Sequence, residues 1–307
     1  MRIEKDLKSV AAEAKQLEKL GRYRQAIEAL GDVWGERRQL PEIEGMSPET
    51  GAELALRCGS LMSVYGHSEQ IPNAQEQSKD LLTAARHKFR LLENWEKVAE
   101  CEYTLAFAYW RRGENEEADA WVEQALSRPL PEDSLARLYS ILAKGVVLDS
   151  TKAHDKAAVY MSGYISLFNE CEDLVLRGSY YSNLGLALKN LGRINEALEK
   201  LKASRECYRL SGHLIYLGTA ENNLAQLYRL DGKFSDAHKH VDGAITAYEE
   251  LKDKARKGSS LDTKAQIYFD EGKYEHALIE ADKAIEILRE GENAAYLTEA
   301  YFTRSKI

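Results

Sequence analysis

The 307-residue chain carries 42 Lys and Arg residues against 50 Asp and Glu residues, a formal net charge of −8. This acidic balance argues against direct nucleic-acid binding, which usually needs a basic stripe or patch. No apolar run approaches the roughly 20 residues that span a bilayer, and the first ten residues contain no apolar signal core. The sequence therefore predicts a cytoplasmic protein that has no membrane partner.

An alanine recurs at nearly constant intervals through the second half of the chain. The intervals are 39, 40, 40 and 40 residues, and the positions are Ala118, Ala157, Ala197, Ala237 and Ala277. A glycine stands five positions before four of them, at Gly113, Gly192, Gly232 and Gly272. A period between about 20 and 50 residues indicates a stacked repeat architecture.

One repeat shows what each unit should look like. Leu184, Leu188 and Leu191 have the i, i+4, i+7 spacing of an apolar helix stripe. Gly192 then ends this helix, since glycine tolerates the backbone of a tight turn. A second apolar stripe begins at Ala197. The sequence therefore predicts a helix–turn–helix unit of about 40 residues.

In chain order, the pattern predicts units that start near residues 7, 52, 99, 138, 178, 218 and 258, with a partial eighth near 298. One position per unit is always small: Ala14, Gly59, Ala106, Gly145, Gly185, Ala225 and Ala265. We expect these residues to let paired helices approach closely, because a bulky side chain there would overpack the contact. The fourth unit has Lys152 where its turn glycine would stand.

These typed positions together resemble the tetratricopeptide-repeat family over nearly the whole chain. The run Asn183–Gly185 is similar to the Leu-Gly-Asn subtype, which has 40-residue units, and residues 179–192 and 220–242 are similar to repeat regions of bacterial regulators. The resemblance implies an all-α solenoid, a right-handed superhelix of about seven helix pairs plus a terminal helix. We expect residues 1–307 to form one such array.

In this family the first helix of each pair lines a concave groove, at positions two before, one after and four after the small residue. The resemblance thus implies a groove in units five to seven lined by polar side chains, with Asn222 beside them: Asn183, Lys189, Asn223, Gln226, Arg229, Thr263 and Gln266. Side-chain amides suit an extended peptide because each offers a donor and an acceptor. The alternative interpretation is that these are ordinary solvated residues on an exposed face.

Three aromatic residues of unit three would occupy the same groove. Tyr103, Phe107 and Trp110 are candidate anchors, because Tyr and Trp dominate interface hot spots. The alternative interpretation is that they pack against the irregular second unit or its long turn, and the sequence leaves both open.

No motif for chemistry is found. The phosphate-binding, dinucleotide-binding and nucleophile-elbow patterns are missing, and Cys58, Cys101, Cys171 and Cys207 form no CxxC pair. The sequence therefore predicts a protein that is not an enzyme, has no catalytic residues and holds no cofactor or metal.

The leading functional hypothesis is an adaptor that binds a peptide or protein segment in the groove. The alternative is the sensory module of a larger bacterial transcriptional regulator whose DNA-binding part lies outside this chain. Residues 294–307 look like the first helix of an eighth unit without its partner, so we expect either a cap or a fragment of a longer protein. Self-association through this terminal helix is a further expectation.

Overall fold

The computed structural model describes residues 2–31, 33–34, 46–68, 71–290 and 294–307. Within these ranges all regular structure is helical, and no strand is present. No helix in the described ranges combines the length and apolarity that a bilayer crossing needs. The chain divides into two compact units, Met1–Cys171 and Glu172–Ile307. The predicted all-α solenoid is confirmed, and its extension as one continuous array over residues 1–307 stays a prediction.

The first compact unit contains successive helix pairs. Its helices are α1 (Arg2–Lys19), α2 (Tyr23–Ala29), α3 (Pro48–Ser68), α4 (Ala74–Leu91), α5 (Trp95–Arg111), α6 (Asn115–Leu126), α7 (Leu135–Ser150), α8 (His154–Ser162) and α9 (Ile165–Glu170). The second helix of the fourth pair is short, because it stops at Ser162 and the chain resumes a helix only at Ile165.

The second compact unit is more regular. Its helices are α10 (Leu174–Asn190), α11 (Ile194–Ser211), α12 (Leu214–Leu230), α13 (Phe234–Glu250), α14 (Lys254–Asp270), α15 (Tyr274–Glu290) and α16 (Ala294–Lys306). Three full pairs are thus followed by a single first helix. Across both units, each predicted repeat start lies inside the first helix of a pair or inside α16.

The small-residue positions are where the paired helices meet. Ala14, Ala106, Ala225 and Ala265 are at most 1 % exposed. A Cβ added to Gly145 would lie 2.7 Å from Met161, and one added to Gly185 would lie 2.9 Å from Leu201. These distances are shorter than side-chain packing allows, so the two helices of a pair lie close only because this position is small.

The turns between paired helices use the left-handed backbone region. Gly192 has φ +74° and Gly232 has φ +71°, values that cost glycine little. Lys152 adopts φ 62° at the matching place in the fourth unit. The turn geometry is therefore kept there without glycine, at the steric cost of a Cβ in this region.

A second glycine position receives an aromatic ring from the end of the same pair. A Cβ on Gly178 would lie 2.7 Å from Tyr208, and a Cβ on Gly218 would lie 2.8 Å from Tyr248. The hydroxyl of Tyr248 also lies 3.0 Å from Thr219 Oγ1. Both glycines lie near the start of a first helix. The ring therefore fills the space between the two helices at this end of the pair.

In the first compact unit a buried ionic network joins the first helices. Arg57 on α3 is only 4 % exposed. Its guanidinium contacts Glu100 on α5 and lies 3.1 Å from the Glu18 carboxylate on α1. Lys97 Nζ lies 2.9 Å from Glu100 and 2.7 Å from Glu53. Three helices are therefore held by opposite charges that satisfy one another inside the protein.

The network keeps Glu100 ionised despite its burial. Burial alone would raise the pKa of this carboxyl, but the positive charges of Arg57, Lys97 and Lys15 lower the pKa to about 2. A carboxyl whose pKa falls on folding stabilises the folded state only while it is deprotonated.

The ring-accepting glycines can be tested with a matched pair of substitutions in neighbouring helices. Gly218→Ala should lower the free energy of unfolding by about 1–3 kcal/mol, because the new methyl group collides with Tyr248. Gly243→Ala should be neutral or stabilise by up to about 1 kcal/mol, since its Cβ meets Glu221 at an ordinary 3.5 Å. Urea denaturation followed by circular dichroism measures both. Equal effects of the two substitutions would refute the close ring contact.

Glu100→Gln should lower the free energy of unfolding at pH 7 by about 3–5 kcal/mol, because Arg57 and Lys97 lose a buried partner. The deficit relative to the wild type should shrink as the pH falls from 4.5, the ordinary carboxyl pKa, toward about 2. Urea denaturation at a series of pH values measures it.

Glu49→Gln is the control for this substitution, since Glu49 is 61 % exposed in its contact with Lys8. It should change the free energy of unfolding by less than about 0.5 kcal/mol. A Glu100→Gln deficit that stays constant through the acidic range would contradict the role of the charged carboxylate.

Candidate functional site

The polar residues predicted for units five to seven lie on the first helices α10, α12 and α14 of the second compact unit. Asn183 and Lys189 are half-buried on α10, and Asn223 is half-buried on α12. Asn183 Nδ2 donates to the Ser179 carbonyl at 2.8 Å, within its own helix. This internal hydrogen bond occupies one N–H donor of the Asn183 amide in the unbound protein.

Two other predicted amides link successive first helices. Gln226 Nε2 on α12 donates to Thr263 Oγ1 on α14 at 3.5 Å. One repeat later, Gln266 Nε2 donates to Thr303 Oγ1 on α16 at 3.3 Å. Thr263 itself is 3 % exposed. This face is therefore a ladder of internal hydrogen bonds, and its amides are positioned rather than freely solvated.

A buried carboxyl stands beneath this ladder. Asp262 on α14 is 5 % exposed, and its Oδ2 accepts a 2.8 Å hydrogen bond from Gln266. Burial raises its pKa, and the hydrogen bonds of Thr303 and Gln266 oppose this change. On α12, the amide oxygen of Asn222 is buried without a hydrogen-bond partner among the described residues. Both side chains thus point inward.

The ladder borders a pocket of about 300 Å³ between three first helices. Arg229 comes from α12, and α14 contributes Gln266, Phe269 and Asp270. The terminal helix α16 supplies the remaining wall, with Glu299, Phe302, Thr303 and Lys306. Of the residues predicted from the sequence, only Arg229 and Gln266 line this pocket.

The pocket combines apolar rings with charged groups. Phe302 is 62 % exposed, and Lys306 Nζ lies 4.0 Å above its ring centroid. Arg229 forms an ion pair with Asp270 across α12 and α14. Six of the eight lining residues are polar or charged, so the pocket is more polar than the mostly apolar clefts that hold small ligands.

Sequence reasoning missed most of the pocket, although one available signal pointed to part of it. Phe269 stands four positions after the small Ala265. Continuing the repeat places Ser305 at the small position of the eighth unit, so that Thr303 and Lys306 fall two before and one after it. Glu299, Phe302 and Asp270 lie outside that register.

The aromatic residues predicted as an anchor belong to the first compact unit and are partly packed. Tyr103 stacks on Tyr139, with ring centroids 5.0 Å apart. Phe107 and Trp110 meet edge to face at 6.3 Å and pack against the buried cluster around Ala106. They touch the third and fourth helix pairs, so only part of each ring faces outward.

The described residues include no group of three His, Cys, Asp or Glu side chains that could hold a metal ion. The four cysteines are buried and free, and burial raises the pKa of Cys58 and Cys101. His240 Nδ1 lies 2.5 Å from Glu221, and His238 Nε2 lies 3.0 Å from Glu271.

Similar folds are known among solved structures. A Rap protein in complex with Competence and Sporulation Factor has a TM-score of 0.61 at 13% identity, covering 98% of this chain and 97% of that one. The apo form of the quorum sensor NprR from B. thuringiensis has a TM-score of 0.59 at 13% identity, covering 98% and 81%.

A third similar structure is a STAND protein (signal transduction ATPase with numerous domains) with a tetratricopeptide-repeat sensor, from Pyrococcus horikoshii. Its TM-score is 0.62 at 18% identity, and the match covers 94% of this chain but 43% of that one. Such identities show likeness of fold alone.

No curated protein sequence matches the chain. Family models described as tetratricopeptide repeat match residues 98–128, 176–250 and 216–290. The 40-residue subtype and the Leu-Gly-Asn similarity stay predictions. Together with the helix pairs described above, these matches show that the chain contains tetratricopeptide repeats.

Proposed function

We propose that this chain is a non-enzymatic adaptor that binds an extended peptide or protein segment on the first-helix face of residues 172–307. The observation that carries this proposal is the 300 Å³ pocket between α12, α14 and α16, with two phenylalanine rings in its wall. No membrane surface or nucleic acid is needed as a partner, and residence in the cytoplasm is part of the proposal.

The chemistry of the pocket suits a peptide. Phe269 and Phe302 offer apolar surface that a ligand side chain can cover, and such aromatic contacts supply most of the affinity at interfaces. Gln266 and Thr303 hold hydrogen-bonding groups at a fixed position beside the rings. A peptide backbone presents donors and acceptors that can join this ladder.

The other predicted groove residues extend the same face. Asn183, Lys189, Asn223 and Gln226 lie on the preceding turns of α10 and α12. We propose that they guide the flanking parts of the bound segment, while Asn222, whose amide oxygen is buried, and the buried Thr263 hold their neighbours in place. Tyr103, Phe107 and Trp110 stay candidates for a separate contact in the first compact unit.

The comparisons support a binding role. One protein of similar fold, the Rap protein, is seen in complex with Competence and Sporulation Factor, and another is the quorum sensor NprR. Solenoid repeats present extended concave surfaces to partners.

A second candidate is the sensory module of a larger bacterial transcriptional regulator, with the DNA-binding part outside this chain. Its support is the likeness of the chain to the NprR quorum sensor and to the repeat sensor of the STAND protein. In this case a ligand would bind the same first-helix face of residues 172–307. Its binding would change the activity of the DNA-binding part outside this chain. The reading frame tests it: a basic helical segment encoded next to this chain supports the regulator, and a downstream stop codon favours the adaptor.

Phage display of random peptides on the wild-type chain tests the proposed site. Selected peptides should bind Phe302→Ala about 10- to 30-fold more weakly than the wild type, because a central aromatic contact is lost. Fluorescence anisotropy measures the affinities.

Ile279→Ala is the matched control. Ile279 is 53 % exposed, close to the 62 % of Phe302, but lies on the second helix α15 outside the pocket. It should leave affinity unchanged. Failure to enrich any peptide, or equal losses in the two variants, would overturn the proposed function.

A further inference from the structure

Two charged side chains in the pocket have no ionic partner within the described part of the chain. Glu299 and Lys306 are exposed on α16, and both line the pocket. Neither has an opposite charge within 4.0 Å among the described residues. The other two charges of the pocket, Arg229 and Asp270, are paired with each other. The pocket therefore offers one carboxylate and one ammonium to a ligand.

These two charges stand at a defined separation. Glu299 and Lys306 are seven positions apart on one helix, so they lie on the same face about 10.5 Å apart along its axis. Phe302 lies between them, at one turn from each. The Lys306 ammonium lies 4.0 Å above the Phe302 ring centroid, so the wall formed by α16 presents an acid at one end and, at the other, an aromatic ring partly covered by a base.

An extended peptide can match this row at alternate positions. Side chains i, i+2 and i+4 of an extended chain project to the same side, and the outer two start about 13 Å apart. Long charged side chains bridge the small difference from 10.5 Å, because they carry several rotatable bonds. A basic residue can meet Glu299 while an acidic residue draws the Lys306 ammonium off the Phe302 ring and an apolar residue takes its place on the ring.

We propose, resting on the proposed function, that the pocket selects extended segments in which a basic and an acidic side chain flank a large apolar one at alternate positions. The charges act mainly as discriminators. An exposed ion pair adds little affinity, whereas a like charge placed against Glu299 or Lys306 is repelled. Selectivity of this kind comes from rejecting the wrong charge as much as from attracting the right one.

The test uses a set of terminally blocked, fluorescein-labelled pentapeptides at low salt. The mixed peptide is Lys-Ser-Leu-Ser-Glu, and its relatives are Lys-Ser-Leu-Ser-Lys, Glu-Ser-Leu-Ser-Glu and Lys-Ser-Gly-Ser-Glu. Anisotropy titrations with the wild-type chain should show the mixed peptide binding about 10-fold more tightly than each relative. Added salt should reduce this preference, because exposed charges are screened.

Reversing either charge in the pocket should change which peptide binds most tightly. Lys306→Glu makes both ends acidic, so the all-basic peptide should become the best ligand. Glu299→Lys makes both ends basic, so the all-acidic peptide should become the best ligand. Lys283→Glu is the control: Lys283 is 53 % exposed on α15 outside the pocket, and its reversal should keep the wild-type order.

Several outcomes overturn the inference. Equal affinities for the mixed, all-basic and all-acidic peptides would do so, as would a preference that ignores the two reversals. If displayed peptides bind through Phe302 but show no such charge pattern, the proposed function stands and this inference falls. If α16 instead joins two copies of the chain, Lys306→Glu will change the mass in sedimentation and no pentapeptide will bind, which also overturns it.

Discussion

The close approach of paired helices at one small residue per repeat is the contact on which this structure depends. Gly145 and Gly185 have no room for a Cβ against the second helix of their pair, and Ala106 is almost fully buried at the same place. Because the small position recurs with the repeat, it fixes which face of every first helix packs and which face stays outside. The outer face is where a partner can bind.

The first helices of the two compact units carry different side chains at equivalent positions of the repeat. In the first, charges around Arg57 satisfy one another across α1, α3 and α5 and leave little room for a ligand at that place. In the second, the ladder through Gln266 and Thr303 ties the helices but leaves beside it two phenylalanine rings and two charges without an ion-pair partner in the described ranges. The pocket therefore lies where the polar contacts do not fill the face.

Much of the fold could be predicted from the sequence, because helix pairs, turns and small positions are local and periodic. Arg229 and Gln266 were found by the groove positions of the family. The same groove positions, applied to the first two units, pick out Glu18 and Arg57, two members of the buried ionic network. Phe302 and Glu299 could not be found this way, since they lie outside the groove positions of the repeat. The hydrogen bond between Gln266 and Thr303 depends on the distance between α14 and α16. The sequence of either helix alone does not determine that distance.

Hydrogen–deuterium exchange of the chain, with and without a peptide recovered by display, measures the central claim most directly. The account predicts that binding slows amide exchange in α14 and α16, whose side chains form most of the pocket wall. Exchange in the second helices α13 and α15 should change less. Protection confined to α13 and α15, or to residues 1–171, would contradict the assignment of the first-helix face as the binding site.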